Sequence, residues 1–484
     1  MSDSSRLITS DPDGKHYSPF VAGSLMANYI VGTGVLGLPF VFALAGVKLS
    51  LVSTIIISFI SYFAWMYLAE AMARADAISD SQQGIAVNSL FSNIPKFTIS
   101  NRKYELPHLC QLFVGEGFKI MYQIAILGYM ASALVSYAST SAGSLMTRFP
   151  VPGLTTWGEC DSNDLEWSGN CYNAYLVFLS IYAVFVLSLT MVELSGQGKL
   201  QSFFTIYRLG VLALCAITIS IAIFDRPYPD GELYSIKPHI QPIADWQFSA
   251  LGKLLPNLFF ASIGHHSLPG LLAPLQNKNK AKKIIPIVVI LLTIFYLVLA
   301  EAAVLYFGKH TPQLLTLVYG SYPWGYPGQP LWAKVIREAV VLFVPIVCLS
   351  AYPINAITLG NNLFESILPP KKRETLSQVR INKVRRISLL IAGVPPVFVA
   401  IFARKLSIIL SFGGLFGFYI ALIVPAILHL KSREACISNW NASSVKENPF
   451  TTIISSPFIA YLVIYIGIGM SINTTYSLIK DIFF

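Results

Sequence analysis

The chain has 484 residues, of which 12% are charged and 54% hydrophobic, well under the roughly 25% charged content of soluble proteins. That balance excludes a soluble enzyme or nucleic-acid-binding module as the bulk of the chain and predicts an all-α polytopic membrane protein. The formal net charge of +10 needs no nucleic-acid partner, because loop topology and anionic lipid account for it.

The first stretch, residues 1–17, is polar and has neither the basic start nor the short apolar core of a cleaved leader. The first apolar span therefore has to direct insertion itself. Within this tail Asp3 precedes the pair Leu7 and Ile8 by four positions. This resembles an acidic dileucine signal and predicts a sorting adaptor as partner, with delivery to lysosomal, vacuolar or other endomembranes. An unsorted tail and residence at the plasma membrane is the other reading.

Span 1 extends from Phe20 to Gly46 and is interrupted by Gly32, Thr33, Gly34, Gly37 and Pro39. At about 1.5 Å per residue it reaches roughly 40 Å, more than a bilayer core of about 30 Å requires. Helix breakers at its centre predict two half-helices meeting at membrane depth, where freed backbone is tolerated only against protein or a water-filled cavity. The alternative is that Gly32 and Gly34 only let another helix pack closely.

Further spans are expected over Leu49–Arg74, Phe118–Thr147, Tyr172–Glu193, Ser202–Phe224 and Trp246–Leu272. Five more follow over Ile284–Phe307, Trp332–Leu368, Ile387–Ala403, Leu406–Leu430 and Thr451–Ile479, giving about eleven in all. The eighth is too long for one straight crossing. The implied organisation is a tail at 1–17, a core of ten spans at 18–430, a loop at 431–450, and a last span with a short end at 451–484.

Basic residues gather in two connections: Lys278, Lys280, Lys282 and Lys283 after span 6, then Lys371, Lys372, Arg373, Arg380, Lys383, Arg385 and Arg386 against Glu374. Acidic residues gather in two others: Glu159, Asp161, Asp164 and Glu166, then Asp225, Asp230, Glu232 and Asp245. The positive-inside rule places the N-terminus in the cytosol. Cys160 and Cys171 then share a non-cytosolic loop where a disulfide is permitted; two unpaired loop thiols is the other reading. Cys110, Cys215, Cys348 and Cys436 are expected as free thiols, and no spacing points to a metal.

Span 6 contains Phe259-Phe-Ala-Ser-Ile-Gly-His-His-Ser-Leu-Pro-Gly270. Gly264, His265, His266, Ser267 and Pro269 thus fall at membrane depth, in the span that would answer span 1 if two five-span halves repeated. Paired interruptions in corresponding halves point to a transporter binding site. Intramembrane histidines are candidate functional groups, although either could simply be tied to a neighbouring carbonyl.

The run Asn28-Tyr-Ile-Val-Gly-Thr-Gly-Val-Leu-Gly-Leu-Pro39 resembles the first-helix signature of the amino acid/auxin permease family, and within it the transmembrane protein 104 group. The likeness includes Ser18-Pro19, Ile30-Val-Gly-Thr-Gly34, Glu70-Ala-Met-Ala73, His266-Ser-Leu-Pro269, Pro353 and Asn361-Asn362, and covers spans 1–10 in order. The resemblance implies a LeuT-like 5+5 inverted repeat plus one helix, with helices 1 and 6 broken around a central site. It implies amino acids as substrate, moved with sodium or protons. On this reading the backbone at Gly32, Thr33 and Gly34, together with His266 and Ser267, binds substrate. Asn28, His266, Ser350 and Asn355 are the ion or coupling residues. Ser350-Ala-Tyr-Pro-Ile-Asn355 departs from the hydroxyl pattern of the sodium-coupled members, which favours H+ over Na+.

Weaker candidates are Glu70 near a span end (solvated, or packing between helices), Arg208 deeper in span 5, and Glu301 near the edge of span 7. Arg337 and Glu338 open span 8, while Tyr129 and Tyr137 in span 3 are candidate gates or ordinary aromatic packing. The expectation is a secondary active transporter of amino acids or similar zwitterions, probed against a transporter-like sensor or scaffold whose docking surface is the basic segment Lys371–Arg386. No paired carboxylates, nucleophile motif or cofactor fingerprint argues for an enzyme.

Overall fold

The computed structural model describes residues 18–82, 97–100, 105–160, 169–191, 198–225, 245–324, 328–368, 373, 376–440 and 448–483. The expectations placed on Asp3, Leu7, Ile8, Asp161, Asp164, Glu166, Asp230, Glu232, Lys371, Lys372 and Glu374 lie outside the described residues.

Regular structure among the described residues is helical throughout. The chain enters through α1 (Pro19–Ile30), whose start is set by Ser18: its hydroxyl accepts from the Val21 amide at 3.3 Å, with Pro19 in the first turn. A serine cap followed by proline suits a helix start, because proline lacks only an amide that has no partner there. After two extended residues, a 3₁₀ turn at Thr33–Gly37 leads into α2 (Leu38–Ala45), and the two halves are bent by 52°. Gly46 ends α2 with a φ of +92°, a conformation that glycine adopts without a Cβ clash, and α3 (Val47–Gln82) begins at once.

The chain continues through a short α4 (Leu106–Phe113), then α5 (Glu116–Arg148), α6 (Asn170–Thr190) and α7 (Gly198–Asp225). The segment expected as span 6 forms α8 (Leu251–Ser262), a 3₁₀ turn at His265–Ser267 and α9 (Leu268–Leu272). Next come α10 (Ala281–Phe307), α11 (Leu331–Val341), α12 (Phe343–Ile367), α13 (Gln378–Phe402) and α14 (Leu406–Phe418). A π-helical turn at Tyr419–Ile423 joins α14 to α15 (Val424–Trp440), and α16 (Pro457–Phe483) closes the fold.

Nine helices among the described residues are long and apolar enough to cross a membrane, or ten with the bent pair α1 and Thr33–Ala45. The count falls short of the sequence expectation because the segment Trp246–Leu272 is divided into pieces that are each too short to cross alone. The expected eighth span is one continuous candidate, Leu331–Phe364, although its helix is interrupted at Leu342 between α11 and α12. Helix α15 runs on to Trp440, into the stretch expected as a loop. Outward faces are apolar, with Phe59, Val184, Phe224 and Tyr465 exposed, as a bilayer solvent favours.

Helix α14 packs across α8 and α5, α12 against α13 and α5, and α15 against α3. The α14–α8 contact depends on small residues. A Cβ added to Gly414 would stand 2.1 Å from the Pro256 carbonyl oxygen, and one on Gly417 would stand 2.4 Å from Ile263. Close approach of this kind is how helices associate in lipid, where no hydrophobic force drives them together.

A buried polar network joins α3, α15 and the segment before α16. Glu70 and Arg74 pair at 2.6 Å with both side chains fully buried. Arg74 also donates to the His429 carbonyl and to Ser432 Oγ, each at 3.1 Å. Glu70 further accepts from Ser455 Oγ and lies 3.3 Å from His429 Nδ1. Asn448 donates to the Glu70 carbonyl at 3.1 Å. For Glu70 the sequence sets a solvated or helix-packing role against one in transport, and its burial in this network fits helix packing and not solvation.

Candidate functional site

The two interrupted segments have the same local order. Helix α1 stops at Ile30, Val31 and Gly32 are extended, a 3₁₀ turn follows, and the chain resumes helix at Leu38-Pro39. Helix α8 stops at Ser262, Ile263 is extended, Gly264 has φ −158° and ψ 0°, a 3₁₀ turn follows, and helix resumes at Leu268-Pro269. In each case proline enters the first turn, where its missing amide does no harm.

The interruptions touch. A Cβ on Gly34 would lie 2.9 Å from Phe260 Cδ1 and 3.2 Å from the Ala261 Cα, and one on Gly264 would lie 2.7 Å from Ile30 Cγ1. Gly34 is thus a close-packing position, as the second reading of the glycines expects. Gly32 is different: nothing among the described residues stands within 4 Å of its hypothetical Cβ. Thr33 is buried and its hydroxyl has no hydrogen-bond partner among the described residues.

The two histidines separate clearly. His265 is buried, with Nε2 3.3 Å from Ser61 Oγ and 3.2 Å from the Ser61 carbonyl. Its ring stacks on Trp65 with centroids 4.4 Å apart. It is therefore tied to α3, as the neighbouring-carbonyl reading has it. His266 is half-buried, its Nδ1 has no hydrogen-bond partner among the described residues, and its ring centroid lies 5.9 Å from that of Tyr129 on α5. Tyr129 in turn sits 5.3 Å from Phe260. Ser267 is half-buried and its amide donates to the Gly264 carbonyl at 2.9 Å.

At the other interruption Arg208 of α7 reaches α1. Its Nη1 donates to the Val31 carbonyl at 3.0 Å and to Asn28 Oδ1 at 3.4 Å. Ser350 and Asn355 do not join Asn28 through hydrogen bonds. Ser350 Oγ donates to the Val347 carbonyl at 2.9 Å and Asn355 Nδ2 to the Ala351 carbonyl at 2.9 Å, both along their own helix. Glu301 on α10 has both carboxylate oxygens buried without a hydrogen-bond partner among the described residues.

A cavity of about 20 Å³ is lined by the half-helix ends Ile30 and Ser262 together with Ser58, Ser61, Thr293 and Tyr296. That is room for a water molecule and far too little for an amino acid. Its lining does not include Gly32, Gly34 or His266, so it is a small packing gap beside the interruptions and not a substrate pocket.

Farther out, Arg148 at the end of α5 donates from Nε to Glu338 of α11 at 2.8 Å, and Arg337 Nε donates to the same carboxylate at 3.1 Å. Cys160 and Cys171 are joined in a disulfide with Cα atoms 5.6 Å apart. Cys110, Cys215, Cys348 and Cys436 are free and buried. Sequence reasoning ranked Arg208 below Asn28 and did not pair them. The available signal was an arginine inside an apolar span, a placement that demands a partner.

Residues 16–472 match the family model described as transmembrane amino acid transporter protein. A transmembrane protein 104 homolog of Drosophila melanogaster is 28% identical over 89% of this chain and 91% of its own length. The Dictyostelium discoideum homolog is 25% identical over 96% of this chain and 98% of its own. Human transmembrane protein 104 is 24% identical over 90% of this chain and 92% of its own.

Proposed function

Because this chain belongs to the transmembrane amino acid transporter family, we propose that it is a secondary transporter of amino acids or similar small zwitterions. It works by alternating access around the interruptions between α1 and α2 and between α8 and α9. The observation that carries this reading is the contact between two interrupted segments of matching order, Gly34 against Phe260 and Ala261 and Gly264 against Ile30. Their correspondence supports a LeuT-like 5+5 repeat with α16 added. The backbone at Gly32, Thr33 and Gly34 receives the solute carboxylate, since a helix start presents amides and positive partial charge to an anion. His266 and Ser267 face the same solute from the second segment.

Labelled-solute counterflow in proteoliposomes, run over an amino acid panel, tests the proposal. Exchange of at least one labelled amino acid is the expected result; no exchange across the panel, with protein verified in the vesicles, rejects it. Protons are favoured as coupling ion, because His266 is an ionisable group inside the membrane-spanning region, where such groups mark ion and proton pathways. His266→Ala is then expected to flatten the pH dependence of flux. Uptake that follows a sodium gradient at fixed pH and is untouched by that substitution rejects proton coupling.

The N-terminus is assigned to the cytosol. The basic connections support this, and so does the Cys160–Cys171 disulfide, which suits an oxidising, non-cytosolic side. The Asp3, Leu7 and Ile8 motif assigns the protein to endomembranes through a sorting adaptor. Replacing Leu7 and Ile8 by alanine is expected to move a tagged chain to the cell surface. A double variant that stays with the wild type removes the tail as an address.

A further inference from the structure

Helix α1 ends inside the membrane-spanning region, about 18 Å along its axis from Pro19. The last carbonyls of a helix carry negative partial charge and have no intrahelical donor. In water they would be solvated, but at this depth they require a cation or a donor. Two oxygens face that need here, the Val31 carbonyl and Asn28 Oδ1, and both accept from Nη1 of Arg208, at 3.0 and 3.4 Å.

Arg208 forms no ion pair among the described residues, and its Nε is buried without a partner. An arginine so placed is not held by an acid; the α1 carbonyl end and the Asn28 amide are what hold it. Ser350 and Asn355, also considered for an ion site, donate along their own helix to the Val347 and Ala351 carbonyls and make no hydrogen bond to Asn28 among the described residues. A second cation brought to the same two oxygens would meet the guanidinium at contact distance, where like charges repel strongly in a medium of low dielectric.

We propose that Arg208 is the fixed cation of the transport site. Its guanidinium takes, at the carbonyl end of α1, the place of a mobile metal cation, so Asn28 and Val31 serve the protein's own charge and not a sodium ion. The proposal rests on the transporter reading for its meaning and deepens it by removing sodium from this position. Arg208 is a positioning residue: it sets the end of α1, and through α1 the geometry of Gly32 and Thr33.

The test needs no transported solute, so a negative counterflow panel leaves it standing. Purified full-length protein in detergent is melted in sodium chloride and in choline chloride at equal ionic strength, and binding of radioactive sodium is measured directly. Wild type and Arg208→Lys are expected to melt alike in both salts and to bind no sodium at saturable level. Arg208→Ala is expected to melt lower in choline chloride and to recover by several degrees, saturably, in sodium chloride or with low concentrations of guanidinium. A helix cap of purely structural importance would lose stability in both salts without acquiring that cation response. Saturable sodium binding by the wild type that disappears in Asn28→Ala overturns the proposal. So does an Arg208→Ala protein that folds and responds to neither cation. If Arg208→Ala does not fold, the sodium binding of wild type, Asn28→Ala and Arg208→Lys decides the matter by itself.

Discussion

Gly34→Leu is expected to abolish solute flux and to lower the melting temperature of the purified protein, whereas Gly32→Ala should leave the fold intact. The difference follows from what each position meets. A Cβ on Gly34 would press on Phe260 Cδ1 at 2.9 Å and on the Ala261 backbone at 3.2 Å, and a leucine adds three more carbons to that clash. Overpacking of this kind costs about 1–3 kcal/mol, and here it forces apart the two segments whose contact forms the proposed site. Gly32 has φ −119° and ψ −163°, which any residue can adopt, with open space around its hypothetical Cβ. The pair of substitutions therefore separates function from packing. Wild-type flux in a correctly delivered Gly34→Leu protein would sink the site. If Gly32→Ala also transports normally, and Gly34→Leu fails only in proportion to its lost stability, the interruption is a packing joint and not a binding site.

Glu70→Ala and Arg74→Ala should each be severely destabilising. Both side chains are fully buried and pair at 2.6 Å, so removing one leaves the other charged and uncompensated, at a cost of about 3–5 kcal/mol. The loss extends beyond the pair. Glu70 also accepts from Ser455, and Arg74 holds Ser432 and the His429 carbonyl. Replacing both at once with apolar residues, Glu70→Leu with Arg74→Met, is expected to melt above either single variant, because no bare charge remains. Thermal melts of the purified variants check the order. Single variants that melt with the wild type, or a double variant below both singles, would show that the network does not stabilise the α3–α15 contact.

What the sequence made legible follows the physics of each signal. The apolar runs located the long helices, because a bilayer demands about twenty consecutive apolar residues. The interruptions near Gly32 and Gly264 were visible because glycine and proline change the backbone locally. Partners across the bundle were not visible. Nothing in Phe412-Gly-Gly-Leu-Phe-Gly-Phe418 says that Gly414 lies against the Pro256 carbonyl, and nothing around Arg208 names Asn28 and Val31. Periodicity reports which face is buried, and leaves open what covers it. The end of α15 was misplaced for a related reason. Lys431, Arg433 and Glu434 read as loop residues, yet the helix continues through them with Ser432 turned inward to Arg74. The buried network of Glu70 was likewise not visible, because its partners Ser455 and His429 are hundreds of positions away in the chain.

The bond between Cys160 and Cys171 spans the connection between α5 and α6, and so it changes what a cut in that connection means. A protease acting between the two cysteines yields one fragment that ends after α5 and another that begins with α6. The fragments remain one covalent molecule. On a gel without thiol the nicked protein migrates as an intact chain, and only reduction releases two bands. Limited digestion would therefore overlook a cut here unless reductant is added after the digestion. Chains expressed as two pieces split at this point could likewise rejoin through the same sulfur atoms.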